Sequence, residues 1–337
     1  YIPRKVNLKP PFELRNYQAS AVELLFKNKS LLLGDDLGLG KTVTGIGHLL
    51  GEDTLPAFIV VPTHLAHHWR DKIKEMTNLK THLIQGTQPY DLPSKDVYII
   101  KYSCLPGWID VYESLKFKTV IFDEVHYLRR AESMRYTAAE ELVKHCEFKM
   151  GMSATPVFNR GEEIYNILEI LNKGCLGFRD DFIREWTTDG KIIKEPKALG
   201  TYLRDNFYFL RRTKQDVGRE LPNLNKIVQS IDFDQKTVEN AESLMKTLAH
   251  RVLNGSNMEQ GQAARELDIL MRKITGIAKA EAVAEYVKIL LDNDVPVLLV
   301  GWHRDVYDIW DESFKNYNPL YYTGQETPNE KYMNAQK

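Results

Sequence analysis

Three features of this sequence predict an α/β fold built on a parallel sheet with flanking helices. Apolar runs of three to five residues recur through its first half: LLL (31–33), AFIVV (57–61), VYIIK (97–101), TVIF (119–122) and FKMGM (148–152). Runs of this length suit strands buried on both faces. The first run stops at a glycine-rich turn, GDDLGLGKT, and the fourth stops at adjacent carboxylates, Asp123 and Glu124. Ligands of open parallel sheets bind at that carboxyl edge. A length of 337 residues suggests about two domains.

Taken in order, residues 14–26 (LRNYQASAVELLF) carry apolar side chains at helical spacing, with Tyr17 and Gln18 near the start. A glutamine just ahead of such a loop can read an adenine edge, since one amide both donates and accepts; the bland alternative is a surface residue. The turn after LLL reads as a phosphate cradle. Gly38 and Gly40 let successive N–H groups face phosphate oxygens, Lys41 reaches the same oxygens, and the Thr42 hydroxyl can ligate Mg2+. A helix follows and sets its positive end behind the anion. A strict pattern has glycine where this chain has Asp35.

The second strand, 57–61, ends at Pro62-Thr63, and 64–76 reads as a helix. His64, His67 and His68 lack the spacing of a metal cluster, whereas Thr63 is placed to meet a nucleic-acid backbone. The third strand leads into Tyr102-Ser103. After the fourth, neighbouring acids divide naturally: Asp123 to hold Mg2+ and Glu124 to take a proton from attacking water. The strand 148–152 ends in Ser153-Ala154-Thr155-Pro156, hydroxyl residues that either make a turn or link the acids to a bound strand. A helix is expected over 164–171.

Forty-five Lys and Arg against 46 Asp and Glu leave a net charge of -1, with a pI near 6.8. Any nucleic-acid contact must therefore come from a local groove. Cys104, Cys146 and Cys175 show no CxxC spacing and suit a reducing compartment. No apolar run approaches the roughly 20 residues of a membrane span, and no apolar leader opens the chain, so a soluble, cytoplasmic protein without a membrane partner is expected, or a nuclear one if the source is eukaryotic.

The order Gln18, GLGKT, VPT, DEVH, SATP resembles superfamily 2 helicase motors. GDDLGLGKT is similar to the D-E-M-G-L-G-K-T loop of the SWI/SNF family of DNA translocases, which has Asp at the Asp35 position. FYFLRRTKQDVGRELP (207–222) resembles the same family's L-R-R-x-K-x-D-V-x-x-x-L-P block. TGIAK (275–279), a helix over 280–291, a strand over 297–300 and YYTGQ resemble the opening of the second lobe, with a lean towards the annealing-helicase branch. Only placement matches over 172–199 and 235–268. Asn16 stands where the family has Pro, and SATP where it more often has T-G-T-P.

The resemblance implies a RecA-like first lobe over 1–222, and over 223–337 a helical protrusion with the start of a second lobe. It implies an ATP- and Mg2+-dependent motor on double-stranded or branched DNA. Asp36, Gly38, Leu39, Gly40, Lys41, Thr42 and Val43 would cradle the nucleotide, Gln18 would read adenine, Thr42 and Asp123 would hold the metal, and Glu124 would be the base. Thr63, Ser103 and Thr155 would face DNA or report on it. Arg211 and Arg212 would either touch DNA or brace the lobe. No stretch resembles the later motifs that supply arginine fingers, whose loss costs about 10³ to 10⁵ in rate, so poor turnover by a partial second lobe is expected. A monomer, with a possible nuclease or replication and repair partner, is expected. Two further readings are the motor subunit of a restriction or phage-defence complex and a nucleotide-switched DNA-binding module.

Overall fold

The computed structural model of the protein describes residues 6–156, 160–218 and 225–335. The chain forms two compact units: Tyr1–Pro222 with Gly324–Lys337, and Asn223–Thr323. The boundary expected after residue 222 lies outside the described residues. The sequence assigns everything beyond it to a second domain, whereas the structure groups the last segment with the first unit.

The first unit opens with α1 (Asn16–Asn28), β1 (Ser30–Leu33), α2 (Lys41–Leu49), β2 (Ala57–Val61), α3 (Ala66–Met76), β3 (Thr81–Leu83) and β4 (Val97–Lys101). The short helix α4 (Tyr112–Leu115), β5 (Thr119–Asp123), α5 (Met134–Lys144), β6 (Phe148–Met152) and α6 (Glu162–Leu171) follow. Helix α7 (Arg179–Trp186), a small antiparallel ribbon of β7 (Thr187–Thr188) and β8 (Ile192–Ile193), α8 (Pro196–Asp205) and β9 (Phe209–Leu210) come next. The main sheet has seven strands in the order β3-β4-β2-β5-β6-β1-β9, all paired in parallel.

Parallel sheets need cover on both faces because every crossover returns over one of them. The strand sequences meet that need through alternation. Leu31, Leu33, Ile59, Val61, Ile99 and Ile121 point into a core with Ala21, Leu25, Ile46, Trp69 and Ile73 of α1, α2 and α3. Leu32, Phe58, Val60, Ile100, Val120 and Phe122 point the other way, onto Ala138, Leu142, Ile167 and Leu171 of α5 and α6. Both sets are almost fully buried. Since all strands run the same way, their C-terminal ends form one rim, and the loops that leave them share it.

The second unit carries α9 (Gln235–Asn254), α10 (Asn257–Asp292) and α11 (Arg304–Ser313). Asp234 caps α9 through the Lys236 and Thr237 amides, and Ser256 with Glu259 forms the capping box of α10. The sequence predicts a helix starting near residue 280; the structure runs α10 unbroken from 257 through TGIAK, 36 residues, because no proline interrupts it. Its C-terminal half packs Ala280, Ala284 and Val287 against Val306, Trp310 and Phe314. The strand predicted over 297–300 is absent. Among the described residues of this unit there is no strand for it to pair with, and a lone strand leaves its backbone groups unpaired. Leu298 is 91% exposed there. The last helix, α12 (Pro328–Asn334), belongs to the first unit, where the Tyr332 hydroxyl donates to Asp71 on α3.

Candidate active site

The loop between β1 and α2 turns twice through the left-handed region, at Gly38 (φ 80°) and Gly40 (φ 74°). Side chains rarely adopt such angles, and at Gly40 a Cβ would also sit 2.7 Å from Gln18 Nε2. Lys41 opens α2 and donates to the Asp35 carbonyl at 2.7 Å and to the Asp36 carbonyl at 3.4 Å. The ammonium rests on its own loop's oxygens, the bonds that phosphate oxygens would replace. Burial lowers its pKa, opposed by the negative charges of Glu124, Asp35, Asp123 and Asp36. Thr42 and Val43 follow in the first helical turn; Leu39 is buried and Asp36 is partly exposed.

The start of α1 holds this loop from behind. The Tyr17 hydroxyl donates to the Leu39 carbonyl (2.9 Å), and Gln18 Nε2 donates to the Leu39 and Gly40 carbonyls (3.1 and 3.3 Å). Gln18 Oε1 accepts from the Arg15 amide at 2.9 Å, and the residue is 4% exposed. In this structure the glutamine expected at adenine is engaged by the phosphate loop and the helix start.

Asp35, the departure from strict glycine, is fully buried and takes an arginine fork. Arg212 Nε donates to Oδ1 at 2.9 Å and Nη2 to Oδ2 at 2.5 Å, while the Arg212 amide also reaches Oδ1 at 3.1 Å. A third guanidinium nitrogen donates to the Tyr17 carbonyl, and the Asp36 amide donates to the Arg212 carbonyl at 3.0 Å. In this structure Arg212 braces the phosphate loop, its fork engaged by a buried carboxylate, the second of the two roles the sequence offers for it. Arg211 is exposed, with its nearest acid, Asp36, at 3.7 Å.

At the end of β5 the two acids sit in different surroundings. Asp123 is 7% exposed; Oδ2 accepts from the Trp69 indole N–H at 2.7 Å and Oδ1 from the Glu124 amide at 3.0 Å. Its pKa is pushed up to about 6, chiefly by burial. Glu124 adopts a left-handed backbone (φ 52°), which turns its side chain out of the strand direction. Its Oε2 lies 3.1 Å from His126 Nδ1 and accepts from Ser153 Oγ at 3.2 Å. The hydrogen bond with His126 holds Glu124 below the usual carboxylate range. Adjacent carboxylates whose surroundings drive their proton affinities apart are suited to separate tasks.

Strand β6 lies between β5 and β1, so the acids and the phosphate loop face each other across two strand spacings, about 10 Å. Ser153 sits in the middle, its amide on the Leu33 carbonyl (3.1 Å) and its hydroxyl on Glu124. Thr63, Ser103 and Thr155 follow the ends of β2, β4 and β6, and all three are exposed on the rim.

A hard divalent cation fits what is here. Thr42 and Asp123 offer the hydroxyl and carboxylate oxygens that Mg2+ selects, and a buried carboxylate with a raised pKa is stabilised by a nearby cation. Among the described residues no group of three or more His, Cys, Asp or Glu could hold a metal, so phosphate and water oxygens would complete the shell.

The sequence pattern of the SNF2-related domain matches residues 17–278. The chain belongs to the SNF2-related domain family. Similar curated proteins include the human DNA annealing helicase and endonuclease ZRANB3, 27% identical over 304 residues that cover 83% of this chain and 28% of that protein. Another is the chicken (Gallus gallus) DNA repair and recombination protein RAD54B, 27% identical over 254 residues, covering 66% and 27% of the two chains. This SNF2-related chain thus spans between a quarter and a third of the length of these relatives. The Sulfolobus solfataricus SWI2/SNF2 ATPase core in complex with dsDNA has the same fold, with a TM-score of 0.58, 17% identity, and coverage of 94% of this chain and 72% of that one.

Two residues of this SNF2-related chain that touch the acidic pair escape sequence reasoning. Trp69 is 54 residues from its partner Asp123 and reads as one more core aromatic of α3. His126 stands in the acidic motif, but its bond to Glu124 depends on the turn after β5, which is not visible in residue type.

Proposed function

We propose that this chain is the nucleotide-binding part of an ATP-dependent motor that moves on double-stranded DNA. The observation that carries the reading is the pairing, across β6 on one rim, of a lysine-bearing phosphate loop with two acids of opposite character. ATP would draw the Lys41 ammonium off the Asp35 and Asp36 carbonyls onto its phosphates, against the positive start of α2. Thr42 and Asp123 would hold Mg2+, which would supply charge neutralisation. Glu124, ionised and fixed by Ser153 and His126, would accept the proton of attacking water. Thr63, Ser103 and Thr155 share the rim, so a DNA backbone lying along it would sit beside the nucleotide. The similar annealing helicase and recombination protein, both named for action on DNA, support the choice of polymer.

The test is nucleotide binding and ATP turnover with and without duplex DNA, on this chain and on a longer natural form. Lys41→Ala should abolish binding of a fluorescent ATP analogue. Glu124→Gln should bind it normally while turnover by the longer form falls at least about 100-fold. Normal hydrolysis by Glu124→Gln would remove the base assignment, and binding without DNA-stimulated turnover in the longer form would favour a nucleotide-switched module.

A further inference from the structure

We propose that Trp69 is a positioning residue for the metal site: its indole N–H fixes the orientation of the Asp123 carboxylate that is to meet Mg2+. The inference rests on the nucleotide reading above and adds to it a residue from outside the loop and the acidic pair.

Trp69 is fully buried on α3, in the core between the sheet and the helices that start at the rim. A buried indole has one donor and no acceptor, so its single N–H goes to the best acceptor within reach. Here that is Asp123 Oδ2 at 2.7 Å, a charge-assisted bond. The other oxygen, Oδ1, takes the Glu124 amide at 3.0 Å. One donor comes from the carboxylate's own strand end and one from a different helix, so rotation of the group about its side-chain torsions breaks one or both bonds.

The indole itself is held. Across from it, on α2, stands Gly45, where a Cβ would come within 3.0 Å of Trp69 Cη2 and 3.4 Å of Ile121 Cδ1. The missing side chain lets the ring lie against the helix that carries Lys41 and Thr42. One indole therefore fills the space left by the absent side chain of Gly45 on the helix that carries Lys41 and donates its N–H to Asp123. Partners that orient metal ligands from behind typically contribute 10- to 100-fold in metal affinity.

A purely structural tryptophan would matter through its volume, a positioning one through its N–H. Trp69→Phe keeps an aromatic ring and removes the donor; β-(3-benzothienyl)alanine at position 69 keeps the bicyclic shape and puts sulfur where the N–H was. Binding of a fluorescent ATP analogue is titrated first in EDTA and then against Mg2+, on the whole chain. The expected result for both replacements is unchanged affinity in EDTA with a rise of about tenfold or more in the Mg2+ concentration for half-maximal tightening. The benzothienyl protein decides the matter if Trp69→Phe does not fold. Half-saturation by Mg2+ equal to that of the unmodified chain overturns the positioning role and leaves the nucleotide reading intact. Failure of the unmodified chain to bind the analogue at all overturns both.

Discussion

Asp35 shows how a residue that breaks a motif can belong to it. Its side chain is 1% exposed, and burying a lone charge is costly, so the site depends on Arg212, whose side chain is 13% exposed. Removing either partner of a buried pair typically costs about 3 to 5 kcal/mol, whereas removing both leaves no orphan charge. Asp35→Asn and Arg212→Gln should each lower thermal stability and weaken nucleotide binding. The double variant should recover about 1 to 3 kcal/mol relative to the sum, read from denaturant unfolding of all four proteins. Strict additivity would mean that the fork contributes nothing beyond two separate side chains. The placement of Lys41, Asp123 and Glu124 at strand ends on one rim was legible because each lies in a short contiguous stretch of distinctive type directly after an apolar run. The Asp35–Arg212 pair, 177 residues apart, and the Trp69–Asp123 pair were not, because only the fold brings them together.

At the scale of elements, the strands were legible because each is buried on both faces and announces itself as an unbroken apolar run. Strand 297–300 has the same composition and fails for want of a neighbour, since pairing is supplied by other parts of the chain. Helix α3 and the turn before it carry a consequence of burial. His64, His67 and His68 are held below the ordinary imidazole value, chiefly by desolvation, with Arg70, Lys72, Lys101 and Lys331 adding and Glu124, Asp71 and Glu75 opposing. For such groups the unfolded chain takes up protons first, so their contribution to stability is present above about 6.5 and lost as pH falls below it. Asp123 acts in the opposite sense: its raised folded value lets the native state bind the proton first between 3.8 and about 6, which relieves its burial as pH falls. A His67→Gln/His68→Gln variant should therefore lose less stability between pH 7.5 and 5.5 than the parent protein, as measured by denaturant midpoints. An equal loss would assign the acid sensitivity to other groups.

The whole molecule joins a first unit with cores on both sides of a seven-stranded sheet to a second unit with one small cluster around Ala280, Val306 and Trp310. Local opening is easiest where few apolar contacts and unpaired backbone meet. Amide hydrogen exchange should therefore show β2, β5 and β6 as the slowest segments and residues 297–300 as among the fastest in the folded chain. Comparable protection of 297–300 would mean that this stretch gains partners in solution. The parallel order of the sheet also divides the first unit into a working rim and a back edge. Lys29 and Glu147, an ion pair at 2.7 Å, mark that back edge beside the starts of β1 and β6. For surface immobilisation or dye attachment, a cysteine introduced there would anchor the molecule from behind and leave the rim with Lys41, Asp123 and Glu124 unobstructed.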